Sequence, residues 1–150
     1  MPKIELSSRI YAPCEVVFDL ARDVDAHVAS AAGTEERPVG GKVHGLLDLD
    51  DEVTWEARHF GVRQRLTSRI TRFERPTYFR DSMVRGAFSR FDHDHFFEAT
   101  SDGCVARDVF DYTSPLGPLG RLVDAIVLER YMRRFLEVRM RVLKELAEGG

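Results

Sequence analysis

Residues 116–146 read LGPLGRLVDAIVLERYMRRFLEVRMRVLKEL and predict the major helix of the chain. Apolar residues recur there at steps of three and four, which places them on one side of a helix. The residues on this side are Val127, Tyr131, Phe135, Val138, Val142 and Leu146. Such a helix would be about 45 Å long, more than the ~30 Å diameter of a small domain, so we expect a bend or a separate first turn near Gly117–Gly120. An apolar stripe of this length requires a broad surface to lie against.

The preceding sequence predicts strands that can supply this surface. Alternating apolar and polar residues indicate a first strand over residues 4–10. Two short helices are expected at Glu15–Ala21 and Asp23–Ala32, and a second strand within Thr34–Val39. The predicted order is a strand, two short helices, a run of about six antiparallel strands and a long helix.

The first predicted hairpin turns at Phe60-Gly61. A two-residue loop there places Trp55 across from Leu66 and Glu56 across from Arg65. The apolar faces of both strands then coincide, and this agreement supports the register.

The second predicted hairpin turns at Asp102-Gly103. This loop would place His93 across from Tyr112 and give the two strands a shared inner face. The residues of that face are Phe91, His93, His95, Phe97, Ala99, Ala106, Asp108, Phe110 and Tyr112. Between the hairpins, the strand Thr77–Arg85 carries apolar residues on both faces, so its inner face stays unassigned.

Together these elements predict a single α+β domain over residues 1–150. A curved antiparallel sheet of about six or seven strands would wrap around the long C-terminal helix. One helix on the concave side of a twisted sheet cannot fill all of the enclosed volume. The gap between the helix and the sheet is therefore a natural place for a ligand.

The composition is that of an ordinary globular protein, with 43% hydrophobic residues, 31% charged residues and a net charge of −3. This balance does not favour a nucleic-acid partner. Arginines crowd the last helix, Arg139 among them, but interleaved glutamates predict a solvated face with salt bridges. With no signal-peptide pattern and no apolar run of ~18 residues, we expect a cytoplasmic protein without an integral membrane segment. The oligomeric state stays open.

Several motifs follow one another along the chain. They are AP at 12–13 with VVF at 16–18, VTWEA at 53–57, RGAF at 85–88 leading into HDHFF at 93–97, and DVFDY at 108–112 leading into SPLGPLG at 114–120. With the order of elements, they resemble the START/Bet v 1-like superfamily (SRPBCC), which has the helix-grip fold and includes polyketide cyclases, dehydrases and lipid-transport domains. The resemblance covers nearly the whole chain. Its last two stretches look like a bacterial ligand-binding subgroup.

The resemblance implies a hydrophobic cavity between the long helix and the sheet. A small hydrophobic or amphipathic molecule would occupy it, and no cofactor is implied. From the strand pairing above, the candidate lining comprises Trp55, Ala57, His59, Gln64, Leu66, Phe91, His93, His95, Tyr112, Tyr131, Phe135 and Val138. We favour a binding or carrier domain without catalytic activity.

The motif FDHDHF at 91–96 carries the strongest candidate chemistry, because His93 and His95 point to one face. As metal ligands they would need a third partner, for which only His59 or Asp108 is placed. We favour instead a histidine pair that is hydrogen-bonded to its neighbours, with no metal.

Two other functions stay open. One is a cyclase- or dehydratase-like enzyme, in which His93, His95 and Tyr112 are the catalytic candidates. The other is a protein-interaction module that uses the outer face of the sheet. Its contact residues would be Arg58, Phe60, Arg63, Arg65 and Arg69.

Overall fold

The computed structural model describes residues 3–30, 35–59, 61–114 and 117–149, without the side chains at positions 120, 121, 123, 124 and 126. Its elements are, in chain order, β1 (Lys3–Ile10), α1 (Cys14–Ala21), α2 (Val24–Ala29), β2 (Arg37–Gly41), β3 (Glu52–His59), β4 (Val62–Glu74), β5 (Tyr78–Arg85), β6 (Arg90–Thr100), β7 (Gly103–Thr113), α3 (Gly117–Val123), a π-helical segment (Asp124–Leu128) and α4 (Glu129–Gly149). The seven strands form one antiparallel sheet in the order β1-β7-β6-β5-β4-β3-β2, which curves around the C-terminal helix. The predicted α+β helix-grip fold is confirmed.

The segment between the first two strands forms the two predicted short helices. α1 begins at Cys14, one residue before the predicted start. α2 is shorter than predicted and ends at Ala29, and the Asp23 side chain caps its start by accepting a hydrogen bond from a backbone N–H of the first turn. Positions 31–34, where we placed the end of this helix and the start of the next strand, lie outside the described residues.

The β3–β4 hairpin has the predicted register, with Trp55 opposite Leu66 and Glu56 opposite Arg65. Gly61 in the connecting turn has a φ of 74°, a left-handed conformation that glycine adopts without strain. The other predicted turn residue, at position 60, is outside the described residues. A short turn between two amphipathic strands therefore sufficed to define this pairing.

The β6–β7 hairpin turns one residue earlier than predicted. Thr100 pairs with Gly103, so the loop is Ser101-Asp102 rather than Asp102-Gly103. Gly103 lies within β7, where a Cβ atom would come within 2.2 Å of the Ile10 carbonyl oxygen on β1. The close approach of the neighbouring strand therefore requires this glycine, and the turn does not.

This correction moves the cross-strand partners by two residues. His93 lies opposite Phe110 instead of Tyr112, and His95 lies opposite Asp108. A displacement of two residues leaves every side chain on its predicted face, because successive strand residues alternate between faces. Both histidines remain inward and buried.

On β5, the strand whose inner face the sequence left unassigned, Phe79 and Asp81 point toward the helix. Phe79 is buried, and Asp81 lines the space between sheet and helix opposite His93 of β6. An aspartate in the middle of an inner face interrupts the apolar alternation. For this reason the sequence pattern was ambiguous here.

The C-terminal helix differs from prediction in two respects. Its interruption is the π-helical segment at 124–128, not the stretch Gly117–Gly120. Its buried side is also rotated, since the expected stripe residues Val127 and Leu146 are 46% and 38% exposed. The buried residues of α4 are Met132, Leu136, Met140 and Ala147. In the described part of the chain, no helix is long and apolar enough to cross a membrane.

Phe18 of α1 anchors the larger part of the hydrophobic core. Its ring is fully buried and meets the rings of Phe73, Phe79 and Phe97 edge-on, with centroids 5.3–5.4 Å apart. Such edge-to-face contacts stabilise aromatic pairs beyond the area that they bury. One end of the concave sheet is thereby filled by α1.

The outer face of the sheet carries a different cluster. The buried Glu56 carboxylate accepts hydrogen bonds from Arg37 (2.8 Å), Arg65 (3.0 Å) and Arg63 (3.1 Å). Three strands, β2, β3 and β4, are joined by this one carboxylate. Arg63 and Arg65 are therefore already paired on the surface that the interaction-module alternative would use.

We expect Phe18→Ala to lower the free energy of unfolding by about 3–5 kcal/mol, because it removes a buried ring from a close-packed cluster. Urea unfolding followed by circular dichroism measures the change. Val16→Ala, at a 42% exposed position of the same helix, should change it by less than about 0.5 kcal/mol. Similar losses in both variants would contradict this account of the core.

We expect Glu56→Gln to destabilise the protein in a pH-dependent manner. Hydrogen bonds from Arg37, Arg65 and Arg63 lower the pKa of Glu56 to about 2. The carboxylate therefore stabilises the fold above its ordinary pKa, and this stabilisation is lost as the pH falls toward 2.

The difference in unfolding free energy between wild type and Glu56→Gln should be largest at neutral pH and shrink as the pH falls from about 5 to about 3. Urea unfolding at several pH values tests this. Glu137→Gln, at an exposed position of α4, is the control and should show a small difference at every pH. A Glu56→Gln difference that stays constant with pH would be the contrary result.

Candidate functional site

A cavity of about 530 Å³ lies between the sheet and the C-terminal helix. Its lining comes from the end of α1, from α2, from strands β3 to β7 and nearby connecting segments, and from the π-helical segment and α4. Most of the residues predicted to line it do so: Trp55, Ala57, His59, Gln64, Leu66, Phe91, His93, His95, Tyr131 and Phe135.

Two predicted lining residues, Tyr112 and Val138, are not part of this wall. Tyr112 is fully buried and packs against Phe88 and Phe110, with ring centroids 5.5 and 5.3 Å away. The corrected β6–β7 register explains this, because it brings Phe110 opposite His93 and places Tyr112 opposite Phe91, near the end of the strand pair. The rotation of α4 explains the second case, since Met132 and Leu136 face the cavity instead.

Sequence reasoning missed the polar side chains that complete the wall. Asp81 lies on the strand of unassigned face, and Glu36 lies just before β2 in a segment with weak strand signals. Arg139 was assigned to a solvated helix face, but its side chain also lines the cavity. His27 reaches the same wall from α2. None of these four follows from periodicity, because each depends on how separate elements pack.

Much of the cavity wall is apolar. Aliphatic and aromatic side chains from the sheet face those of the helix across the cavity. They are Leu66, Ile70, Phe79, Phe88, Phe91 and Phe110 from the sheet and its loops, and Leu128, Met132, Phe135 and Leu136 from the helix. This surface suits the body of a hydrophobic molecule.

Four ionisable side chains on three adjacent strands form a cluster, which we call the His–Asp cluster: Asp81, His93, His95 and Asp108. The first three line the cavity, and Asp108 lies next to them. The His95 ring lies between two carboxylates, with Nε2 2.7 Å from Asp81 Oδ1 and Nδ1 3.3 Å from Asp108 Oδ1. The His93 ring lies 3.9 Å from the His95 ring, with Nε2 3.4 Å from Asp108 Oδ2 and Nδ1 3.9 Å from Asp81 Oδ1. His93 Nε2 is buried without a hydrogen bond of good geometry to any described residue.

The two histidines of the cluster titrate in opposite directions. Burial alone would lower the pKa of His95, but the charges and hydrogen bonds of Asp108 and Asp81 outweigh it and raise the pKa to about 9. Burial and the neighbouring His95 charge lower the pKa of His93. Burial opposes ionisation of Asp108 and Asp81, yet the histidines hold the pKa of each carboxyl below its ordinary value. At neutral pH the cluster therefore contains one charged and one neutral imidazole.

A second polar group adjoins the first. His27 stacks on Trp55 with ring centroids 4.1 Å apart, and its Nε2–H donates to the Glu36 carboxylate. Arg139 donates from Nη2 to His27 Nδ1. Burial, followed by the charge of Arg139, lowers the pKa of His27, so its ring is the neutral tautomer that these contacts require. Glu36 and Arg139 thus supply an acceptor and a donor beside the cavity.

His59 and Tyr131 stand where the lining meets solvent. The Tyr131 hydroxyl donates to His59 Nδ1 across 2.5 Å, and burial lowers the pKa of His59, which keeps the imidazole neutral. Val127, 46% exposed, lines the cavity on the same helical side. These residues of β3 and the helix therefore belong to the cavity wall and are also accessible to solvent.

The chain belongs to the family described as polyketide cyclase/dehydrase and lipid transport, whose model matches residues 1–148. The resemblance inferred from the motifs is therefore confirmed. No curated protein matches the chain at a significant level.

Solved structures share the fold at low sequence identity. The crystal structure of TTHA0849 from Thermus thermophilus has a TM-score of 0.78 at 20% identity and covers 96% of this chain and 95% of that one. A START superfamily protein from Mycobacterium smegmatis has a TM-score of 0.71 at 12% identity, covering 98% and 97%. Ara h 8.0201 has a TM-score of 0.63 at 15% identity, covering 95% and 97%. At these identities the likeness establishes the fold alone.

We expect Asp108→Ala to lower the free energy of unfolding by about 3–5 kcal/mol, because it leaves buried histidines without their shared carboxylate. Asp111→Ala, on the same strand, removes a partly exposed ion pair with Arg90 and should cost about 0–1 kcal/mol. Urea unfolding of both variants at pH 7 measures the difference. Equal costs would show that the His–Asp cluster does not contribute as a buried ion network.

Proposed function

We propose that this protein binds and carries a small hydrophobic or amphipathic molecule in the cavity between the sheet and the C-terminal helix. The observation that carries the proposal is the unfilled volume of about 530 Å³. Interiors are normally packed with few voids larger than a water molecule, whereas ligand pockets measure about 300–1,000 Å³.

The distribution of polarity along the wall supports an amphipathic occupant. The apolar body of such a molecule would contact the side chains shared by the sheet and α4. Its hydroxyl or carbonyl groups would meet the donors and acceptors of Arg139, Glu36 and the His–Asp cluster. Buried polar groups are stabilised only when hydrogen-bonded, so a ligand with matching groups at one end is favoured over a pure hydrocarbon.

Two further observations favour carriage over the alternatives. The cyclase- or dehydratase-like alternative named three candidates, and Tyr112 packs in the core away from the cavity, so it is not available to orient a proton transfer there. In the interaction-module alternative, Arg63, Arg65 and Arg69 already form ion pairs with Glu56 or Glu52. Membership of a family that includes lipid transport is consistent with a carrier.

Binding of the neutral fluorescent probe N-phenyl-1-naphthylamine tests the proposal. The wild-type protein should enhance its emission saturably, with one site per chain. Ala57→Trp places an indole inside the cavity and should weaken probe binding by at least about tenfold, about 1.4 kcal/mol.

Arg58→Trp is the matched control, because it adds the same side chain on the opposite face of β3. This variant should bind the probe as the wild type does. Absence of saturable binding to the wild type, or equal binding by both variants, would overturn the proposal. Native mass spectrometry of the purified protein, before and after denaturing extraction, would identify any molecule that stays bound.

A further inference from the structure

Strand pairing brings the four members of the His–Asp cluster together. Asp81 of β5 lies directly opposite His93 of β6, and Asp108 of β7 lies directly opposite His95. Opposed residues in antiparallel strands hold their Cβ atoms about 4.5–5.5 Å apart. One ligand atom each from Asp81, His93 and His95 consequently lies within 4.8 Å of the others.

Two of the distances between ligand atoms in this trio lie on either side of the separation expected around a tetrahedral metal ion. Asp81 Oδ1 lies 2.7 Å from His95 Nε2 and 3.9 Å from His93 Nδ1. Ligand atoms bound at about 2.0–2.1 Å in a tetrahedral arrangement are about 3.3 Å apart. The ligand atoms of His93 and His95 lie within 4.8 Å of each other, so side-chain adjustments that bring these separations toward about 3.3 Å would bring all three atoms to a shared ion.

The far nitrogens of both rings lie near the remaining carboxylate. His95 Nδ1 lies 3.3 Å from Asp108 Oδ1, and His93 Nε2 lies 3.4 Å from Asp108 Oδ2. A metal-bound imidazole commonly donates its other N–H to a carboxylate, which holds the ring in place. Asp108 is placed to do this for both rings at once.

One nitrogen of the cluster lacks a hydrogen bond of good geometry. His93 is 4% exposed, and its Nε2 has no hydrogen-bond partner among the described residues. A proton on Nδ1 would leave Nε2 as an unsatisfied acceptor beside a carboxylate. Coordination of Nδ1 would place the proton on Nε2, 3.4 Å from Asp108 Oδ2, where a small rotation of the ring would complete a hydrogen bond.

The balance of charge within the cluster also favours a divalent cation. Two partly buried carboxylates flank two imidazoles, and protonating both rings would place like charges on rings whose centroids are 3.9 Å apart. A divalent ion balances both carboxylates while both rings remain neutral ligands.

We propose that Asp81, His93 and His95 bind one divalent transition-metal ion, with Asp108 as the positioning residue that accepts hydrogen bonds from both histidines. Two imidazoles and one carboxylate suit zinc, cobalt or iron better than calcium or magnesium, which prefer oxygen ligands. The side of the ion that faces the cavity would be open to a ligand oxygen or water. This inference does not depend on the identity of the carried molecule.

Titration of the chelator-treated protein, without a histidine tag, with cobalt chloride is the primary test. One equivalent should bind and produce the visible absorption of protein-bound Co²⁺, with no sulfur-to-metal band in the near ultraviolet. Asp81→Asn and His93→Gln should each abolish this absorption or weaken binding by more than about 100-fold, and Asp108→Asn should weaken it by about 10–100-fold. The variants are compared only where circular dichroism shows the native fold.

His44→Gln is the matched control, because His44 forms an exposed pair with Asp25 at 3.0 Å and lies away from the cluster. This variant should bind cobalt as the wild type does. Failure of the wild type to bind at millimolar cobalt, or unchanged affinity in Asp81→Asn and His93→Gln, would overturn the proposal. A sulfur band would do the same, since it would place the metal at Cys14 and Cys104, whose sulfurs lie 2.8 Å apart.

Zinc X-ray absorption of the wild-type protein provides a test that needs no variant. The coordination shell should contain two imidazoles with oxygen ligands and no sulfur. A shell with sulfur, or with fewer than two imidazoles, would exclude the proposed site.

Discussion

A curved seven-stranded sheet encloses more volume than one helix can fill, and the rest of this structure follows from that mismatch. At one end, α1 closes the gap by inserting Phe18 among the rings of Phe73, Phe79 and Phe97. At the other end no comparable element is present among the described residues, and a cavity of about 530 Å³ remains. Different parts of one fold thereby serve stability and ligand binding. The closely packed end stabilises the domain, and the unfilled end leaves space for a ligand.

The cavity wall contains a concentration of buried charge that a simple hydrophobic carrier would not need. Burying ionisable groups is unfavourable unless they are paired, and in the His–Asp cluster the His95 ring lies between the carboxylates of Asp81 and Asp108. Such a network is sensitive to position, since a small displacement leaves a group without its partner. The adjacency of three strands fixes that position. A bound ion or a ligand oxygen would use groups that the sheet already holds in place.

The sequence predicted features that depend on local periodicity. The β3–β4 register followed from a two-residue turn between amphipathic strands, and the inward orientation of His93 and His95 survived an error in the β6–β7 turn. That error was harmless for orientation because a displacement of two residues preserves the face. It mattered for contacts, since Tyr112 lost its predicted place opposite His93 and packs instead with Phe88 and Phe110. Because the buried side of α4 is rotated from the predicted one, Met132 and Leu136 line the cavity where Val138 was expected.

By itself, the sequence determined the class of fold, the order of elements, the presence of a long amphipathic helix and part of the cavity wall, because each is encoded by spacing within one segment. Only the tertiary structure decided which polar groups meet. Asp81 interrupts the apolar pattern of its own strand, and its inward position is explained by its place opposite His93 on the neighbouring strand. Glu36 and Arg139 come from opposite ends of the chain, and no local periodicity relates them. Contacts between distant segments depend on how strands curve and how a helix is rotated, and those quantities are set by the packing of the whole domain.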